Sequence, residues 1–275
     1  MTTTQSIPRV AFLGAGKLGS ILIQALLKSG CLSPDKTWAT VQHAAKTSDL
    51  ASKLGVSVST NNAEAVAASD IVFLCVKPQG VIEVVREIRS QLTSRHLLIS
   101  VAASVPTSLI EAEIADGLPV VRAMPNTPCE LGYGATAVCR GRFAAPEHVA
   151  RAIEFFDTVG RTVIVDEKLM DAVNGLSASG PAYIYIIIES LAEAGVKVGL
   201  PRETATLLAA QTVLGAAQVV LQTGRHPALL KDAVTTPAGC TVDGILELEE
   251  GKLRVTLIKA VVKACERARE LAFKG

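Results

Sequence analysis

A glycine-rich turn near the N-terminus constrains this chain more than any other feature. Gly14-Ala15-Gly16-Lys17-Leu18-Gly19 directly follows a short apolar run at 9–13 and opens a helical pattern. Gly14 permits a tight turn, Gly16 lets the backbone approach a pyrophosphate, and Gly19 lets the helix pack on the strand. Free N–H groups at the helix start would hold the phosphates. The turn predicts dinucleotide binding; a glycine-rich turn without a ligand is the alternative.

The first half of the chain alternates short apolar runs with segments of helical periodicity. The runs are β-branched, apolar on both faces and bounded by Gly, Pro or Asn: 9–13, 37–41, 71–76, 97–101 and 120–124, with later ones at 135–139 and 162–165. Such runs are typical of parallel strands covered by helices. Apolar side chains recur at helical spacing from Leu18 to Leu26, and Gly30 supplies the stop. The alternation predicts an α/β fold with a Rossmann-like, doubly wound dinucleotide-binding domain.

The pattern changes near residue 165, where strand signals fade and long helical stretches follow. These stretches are 181–198, 203–222, 241–248 and 253–273, and the segments 181–195 and 203–222 are apolar on almost every face. Helices of that kind must be covered on several sides. We therefore predict a dinucleotide-binding domain at 1–165 and an all-α dimerisation and substrate domain at 166–275. A partner subunit would cover the helices in a homodimer or larger homo-oligomer.

Composition and charge exclude several classes of protein. Apolar residues make up 49% of the chain and charged residues 19%, which excludes a disordered chain. A net charge of +1, with acids and bases mixed, predicts no nucleic-acid or membrane partner. The most apolar run, 182–188, is too short to span a bilayer, and we expect no signal peptide. The six cysteines form no CxxC pair and have no histidine at ligand spacing, so we expect reduced thiols, no metal site and a cytoplasmic protein.

The segment after the second predicted strand indicates which dinucleotide is bound. An NAD site usually places Asp or Glu there to hold the ribose 2′-hydroxyl. Residues 37–48 contain no acid but offer Thr40, Gln42, His43 and Lys46. His43 or Lys46 would pair with a 2′-phosphate, although each alone is about equally well explained as a solvated loop residue. The segment favours NADPH, with NADH as the alternative.

Three further segments extend beyond a generic dinucleotide fold. Two follow predicted strands, at the carboxyl ends where open α/β sheets bind ligands. The first two segments are Val76-Lys77-Pro78 and Met124-Pro125-Asn126-Thr127-Pro128. The third consists of two stretches in the helical half of the chain, Leu176-Ser177-Ala178-Ser179-Gly180-Pro181-Ala182-Tyr183 and Thr235-Thr236-Pro237-Ala238-Gly239-Cys240-Thr241. Together with the glycine turn, in this order across residues 9–273, they resemble the motifs of the pyrroline-5-carboxylate reductase family. The combination is specific, although each motif alone is not.

The resemblance implies NAD(P)H-dependent reduction of the cyclic imine 1-pyrroline-5-carboxylate to L-proline, the final step of proline biosynthesis. It implies that loop 235–241 holds the substrate, with Thr236 near the carboxylate and Thr241 near the ring nitrogen. The implied substrate-binding residues are Thr236, Gly239, Cys240 and Thr241, of which Thr236 and Thr241 are the catalytic candidates. The implied cofactor-binding residues are Gly14, Ala15, Gly16, Lys17, Leu18, Gly19, Asn62, Val76, Lys77, Pro78, Met124, Pro125 and Asn126, to which the charge argument adds His43.

Four positions depart from the family's pattern. Ala238 stands where the family usually has glycine after the loop proline, and Ala178 replaces the glycine between two serines. Arg225 stands where an acid is common, and Asn174 where a threonine is common. These departures bear on the shape of the substrate pocket rather than on the class of reaction.

The residues of the loop fit the chemistry of imine reduction. A protonated imine is already electrophilic, so the protein's main task is to position it. Residues 237–241 open a helical pattern whose first N–H groups would face the substrate carboxylate. Thr241 is the best partner for the ring nitrogen, and an ordinary helix cap is the competing interpretation. Cys240 is better explained as a small packing residue than as a nucleophile.

Two rival functions compete with this interpretation. A 3-hydroxyacid dehydrogenase has the same architecture but needs a positioned lysine, and neither Lys197 nor Lys231 lies in a glycine-framed motif. A dinucleotide-binding regulator without turnover would be supported only by Ala178 and Ala238.

Overall fold

The computed structural model describes residues 7–272, and the chain divides into two compact units. The first unit runs to Ser179 and includes the C-terminal segment from Lys263, while the second is Gly180–Val262. The first unit gives way to the second after Ser179, somewhat later in the chain than the domain boundary predicted near residue 165.

Eight strands form one sheet in the first unit. They are β1 (Val10–Leu13), β2 (Thr37–Thr40), β3 (Ser57–Ser59), β4 (Ile71–Leu74), β5 (Leu97–Ser100), β6 (Val120–Met124), β7 (Gly134–Arg140) and β8 (Gly160–Ile164). Their order in the sheet is β3-β2-β1-β4-β5-β6-β7-β8. The strands pair in parallel except for β6 and β7, which are antiparallel. The first six strands thus have the order of a doubly wound dinucleotide-binding fold, as predicted.

Burial on both faces explains the central strands. Every residue of β1 and β4 is buried, and the rings of Phe12 and Phe73 stack with centroids 4.6 Å apart. Phe155 and Phe156 pack edge-on against Phe73. Aromatic pairs of this geometry add to the free energy of burial, and they fix the sheet beneath its helices.

The helices of the first unit cover both faces of the sheet. They are α1 (Lys17–Lys28), α2 (Thr47–Leu54), α3 (Asn62–Ala67), α4 (Val81–Ile88), α5 (Thr107–Glu111), α6 (Pro146–Asp157) and α7 (Met170–Val173). Helix α1 buries Leu22, Ile23 and Leu26. It ends at Lys28, and Gly30, the predicted stop, has a left-handed φ of +78°. The N–H of Cys31 donates to the Leu26 carbonyl oxygen at 3.1 Å, which closes the helix end.

The second unit is helical. Its helices are α8 (Gly180–Lys197), α9 (Arg202–Thr223), α10 (Pro227–Ala233), α11 (Cys240–Glu250) and the start of α12 (Leu253–Ala272). Among the described helices, α9 is the one long and apolar enough to span a bilayer by length and composition, and 11% of its apolar stretch is buried. Apolar surface left open on this scale is also what a subunit interface requires.

Strand β3 and helix α10 are absent from the sequence prediction. The sequence does not predict strand β3, because its Ser-Val-Ser sequence is short and polar and lies at the sheet edge. Nor does it predict helix α10, because the N-cap is His226, whose Nδ1 accepts the Ala228 N–H at 3.2 Å, rather than a usual cap residue. Phe273, the predicted end of the last helix, lies outside the described residues.

Candidate functional site

The glycines of the first turn have different steric roles. Gly14 has φ +96°, and an added Cβ would lie 2.8 Å from Val76 Cγ1. At Gly19 a Cβ would lie 2.5 Å from the Gly14 carbonyl oxygen. At Gly16 a Cβ would meet nothing within 4 Å. Gly14 and Gly19 therefore permit close packing of the turn, while Gly16 leaves the space that a ligand needs.

The end of β2 holds the turn in place. The Ala15 N–H donates to the Thr40 carbonyl oxygen at 2.7 Å, and the Gly14 N–H donates to Thr40 Oγ1 at 3.2 Å. Thr40 is only 2% exposed, so both bonds are shielded from water. The sequence marks Thr40 only as a polar residue near the cofactor and gives no sign of this structural role.

The start of α1 can accept an anion. The first N–H groups of a helix have no intrahelical partner, and the first turn of α1 contains no acidic residue. Gly16 and Lys17 are exposed, so the helix start is open to solvent. First-turn N–H groups without an intrahelical partner, a favourable helix dipole and an exposed lysine match the requirements of a pyrophosphate.

The neighbouring strand end lies beside this turn. Strand β4 ends at Leu74, and Val76 follows so closely that its backbone N would lie 2.9 Å from a Cβ on Gly14. Lys77 and Pro78 continue from it. The predicted cofactor segment Val76-Lys77-Pro78 therefore starts in contact with the glycine turn.

Asn62 reaches the same edge of the sheet from another element. It begins α3, and its Oδ1 accepts a hydrogen bond from the Thr40 hydroxyl at 2.7 Å. Since Thr40 also bonds Gly14, the fold brings Asn62 and the glycine turn together through one shared side chain.

The end of β6 is tied to the segment that precedes the second unit. Met124 and Pro125 are buried. Asn126 Oδ1 accepts the Ala135 N–H at 2.9 Å, and its Nδ2 donates to the Ser177 carbonyl oxygen at 3.2 Å. The amide of Asn126 is therefore held by two segments of backbone.

Ser177 lies in an unusual turn. Residues Asn174–Ala178 form a π-helical turn. Such turns are rare and occur frequently at functional sites.

His43 lies between strand β2 and a short turn. It is exposed and precedes the 3-10 turn Ala44–Lys46 that follows β2. Lys46 at the end of that turn is exposed as well. Both side chains are open to solvent on the loop for which the sequence predicts contact with a 2′-phosphate.

The predicted substrate loop lies in the second unit. Gly239 is the N-cap of α11, and a Cβ there would clash with Thr236 Oγ1. Thr241 is half-buried inside the first turn and is not the cap, which corrects the competing interpretation. Cys240 is exposed, so the expectation that it packs is wrong within this chain. Ala238 has φ +58°, in the left-handed region that favours glycine.

Two interactions had no sequence signal. Glu87 on α4 accepts a hydrogen bond from Asn62 Nδ2 at 2.8 Å. Glu167 accepts from the Thr107 N–H at 2.7 Å, from the Thr107 hydroxyl at 2.8 Å and from Arg122 Nη1 at 3.3 Å. The partners are separated widely in sequence, so spacing alone could not reveal either network.

Three cysteines of the first unit are unreactive thiols. Burial raises the pKa of Cys129 to about 11 and that of Cys139 to about 12. Burial also raises the pKa of Cys75. Because the thiolate is the reactive form, these three side chains are protonated and inert near neutral pH.

Comparison with known proteins agrees with both units. A family model described as pyrroline-5-carboxylate reductase dimerisation matches residues 167–271. A second, described as NADP oxidoreductase coenzyme F420-dependent, matches residues 9–104.

Similarity also extends along nearly the whole chain. A Methanosarcina acetivorans pyrroline-5-carboxylate reductase is 46% identical, covering 97% of this chain and 98% of the relative. The chain belongs to the pyrroline-5-carboxylate reductase family. The Arabidopsis thaliana reductase is 44% identical, covering 96% of this chain and 95% of its own. The crystal structure of a Plasmodium falciparum pyrroline carboxylate reductase with NADP bound has a TM-score of 0.87 at 29% identity, covering 96% and 98% of the two chains. Family membership sets aside the hydroxyacid dehydrogenase interpretation.

Proposed function

We propose that this chain reduces 1-pyrroline-5-carboxylate to L-proline with NADPH, the final step of proline biosynthesis. The observation that carries the proposal is 46% identity to a pyrroline-5-carboxylate reductase across 97% of this chain. The glycine turn, the strand ends and the helical loop supply the residues that such a reaction needs.

The cofactor fits the edge of the sheet. The first turn of α1 offers N–H groups without a competing acid, and Gly16 leaves room for a pyrophosphate. We propose that the cofactor contacts are those of the sequence prediction: Gly14, Ala15, Gly16, Lys17, Leu18, Gly19, His43, Asn62, Val76, Lys77, Pro78, Met124, Pro125 and Asn126. NADPH is favoured over the alternative, NADH, because residues 37–48 contain no acid.

The substrate loop supplies the polar groups for a small cyclic imine. We propose that Thr236, Gly239 and Cys240 hold the substrate carboxylate at the start of α11, where the helix dipole favours an anion. Thr241, in the first turn of the same helix, would bond the ring nitrogen. Thr236 and Thr241 are the catalytic candidates.

The chemistry requires few protein groups. Bound NADPH supplies a hydride to the imine carbon. The protein orients the ring through its carboxylate and keeps the nitrogen against the Thr241 hydroxyl. A protonated imine is already electrophilic, which explains why positioning, rather than a catalytic dyad, is the main requirement.

The proposal includes the assembly and its location. Residues 1–165 would bind the cofactor, and 166–275 would form a homodimer or a larger homo-oligomer; the dimerisation model at 167–271 supports this division. A net charge of +1 supports a small-molecule substrate and argues against nucleic acid or membrane as a partner. Scattered cysteines without a CxxC pair support a cytoplasmic enzyme.

NADPH absorbance during incubation with pyrroline-5-carboxylate tests the function. We expect absorbance to fall in proportion to the proline formed, and we expect no oxidation of 3-hydroxyacids with NADP⁺. NADPH binding without any consumption would instead support the alternative function, a dinucleotide-binding regulator without turnover.

A further inference from the structure

A chain of hydrogen bonds runs from the glycine turn to the surface of α4. The Gly14 N–H donates to Thr40 Oγ1 at 3.2 Å, and the Thr40 hydroxyl donates to Asn62 Oδ1 at 2.7 Å. Asn62 Nδ2 then donates to Glu87 Oε2 at 2.8 Å. These hydrogen bonds link the turn that would hold the cofactor to a carboxylate on another element.

Each link of this chain has one direction. The Gly14 N–H can only donate, so Thr40 Oγ1 accepts and its single proton is free to donate to Asn62. That bond requires the carbonyl oxygen of the Asn62 amide, rather than its NH₂ group, to face Thr40. A flipped amide would place two donors against the Thr40 oxygen and leave the Thr40 proton without this acceptor.

Glu87 determines which way the amide faces. An ionised carboxylate accepts hydrogen bonds and donates none, so it selects the NH₂ group of Asn62. The carbonyl oxygen then faces Thr40, as the Gly14 bond requires. Hydrogen bonds to a carboxylate are also stronger than those between neutral groups.

We propose that Glu87 is a positioning residue for NADPH binding, which acts by orienting the Asn62 amide and, through Thr40, the glycine turn. The proposal rests on the proposed function of the same site. Because Glu87 acts through Asn62, its effect depends on hydrogen-bond direction rather than on its charge.

Charge reversal separates positioning from simple electrostatics. Glu87→Lys removes a negative charge and adds a positive one, so an electrostatic effect alone would strengthen binding of an anionic cofactor. A lysine, however, only donates hydrogen bonds. It would attract the Asn62 carbonyl oxygen and turn the amide away from the orientation that Thr40 requires. Positioning therefore predicts weaker binding, which is the opposite sign.

The dissociation constant for NADPH can be measured on the full chain through Trp38, the only tryptophan, which lies two residues before Thr40. Glu83, exposed one turn earlier on α4, provides the matched control.

We expect Kd to rise about 3- to 10-fold in Glu87→Ala, as loss of one hydrogen bond predicts, and further in Glu87→Lys. Glu87→Gln keeps an acceptor and should stay within about 2-fold of the wild type. Glu83→Lys should bind NADPH as tightly as the wild type or more tightly.

A Kd for Glu87→Lys equal to or below that of the wild type would overturn the positioning role and leave the proposed function intact. Absence of NADPH binding by the wild type would overturn both. If Glu87→Lys does not fold, a Kd for Glu87→Ala no greater than that for Glu87→Gln overturns the positioning role, and a clearly greater one supports it. Saturating NADPH should restore kcat in Glu87→Ala, because the defect lies in cofactor binding.

Discussion

At the scale of single residues, we propose that the loop before α11 binds the substrate. Thr241 lies inside the first turn and Gly239 forms the cap, so a threonine hydroxyl is available at the helix start without a capping duty. The structure therefore argues against helix capping, which the sequence left open for Thr241 beside a hydrogen bond to the ring nitrogen.

Thr241→Ala should lower kcat/KM much more than it weakens NADPH binding. Loss of a hydrogen bond to a charged group costs about 1.5–3 kcal/mol, or roughly one to two decades in kcat/KM. Thr241→Ser keeps the hydroxyl and should retain most activity. Steady-state kinetics at saturating NADPH, beside a thermal melt, distinguish the roles: near-normal kinetics with a lower melting temperature would assign Thr241 to stability.

Cofactor preference provides a second test at this scale. Gln42 is exposed on the loop after β2, and Gln42→Asp would place a carboxylate where a 2′-phosphate is predicted. We expect the ratio of kcat/KM for NADPH to that for NADH to fall, because the carboxylate repels the phosphate and accepts from a 2′-hydroxyl. A wild type that already prefers NADH would contradict the basis of this prediction.

At the scale of elements, Glu167 in the turn after β8 links α5 to β6. It bonds Thr107 at the start of α5 and Arg122 on β6, and the side chain of Arg122 is only 3% exposed. Two nitrogens of Arg122, Nε and Nη2, are buried without a hydrogen-bond partner among the described residues. Arg122 therefore depends on Glu167 to offset its charge.

Glu167→Ala should lower the free energy of unfolding by about 2–4 kcal/mol. Loss of one partner leaves a buried charge uncompensated, although the partial exposure of Glu167 reduces the effect. Asp166→Ala, next to it and exposed, should cost less than about 0.5 kcal/mol. Urea denaturation compares the two, and equal losses would show that Glu167 has no special role.

The elements also show what the sequence could predict. Apolar runs and the glycine turn were sufficient for seven of the strands, because short β-branched apolar runs carry a strong local signal. Strand β3 and helix α10 lacked such a signal, since one is polar and the other is capped by His226. The contacts from Thr40 to Glu87 join residues far apart in sequence, so they required the fold itself.

At the scale of the whole molecule, exposed apolar side chains in the second unit indicate assembly. Ile186 is 62% exposed and Leu207 is 66% exposed. Large exposed apolar patches usually mark an interaction surface. The sequence predicts this because the segments 181–195 and 203–222 are apolar on almost every face.

Sedimentation equilibrium should therefore find a dimer or a larger assembly at micromolar concentration. Leu207→Lys should weaken it, because a charge at a buried interface is costly. Leu109→Lys, at an exposed leucine of the first unit, is the matched control and should leave the assembly intact. A stable, well-folded wild-type monomer would refute the predicted assembly.

The most direct test follows the hydrogen that NADPH transfers. The enzyme is incubated with pyrroline-5-carboxylate and NADPH that carries deuterium at both C4 positions, and the proline is analysed by mass spectrometry. We expect L-proline with one deuterium, bound to the carbon that was the imine carbon, in amounts equal to the NADPH consumed. Unlabelled proline, or consumption of NADPH without proline, would contradict it.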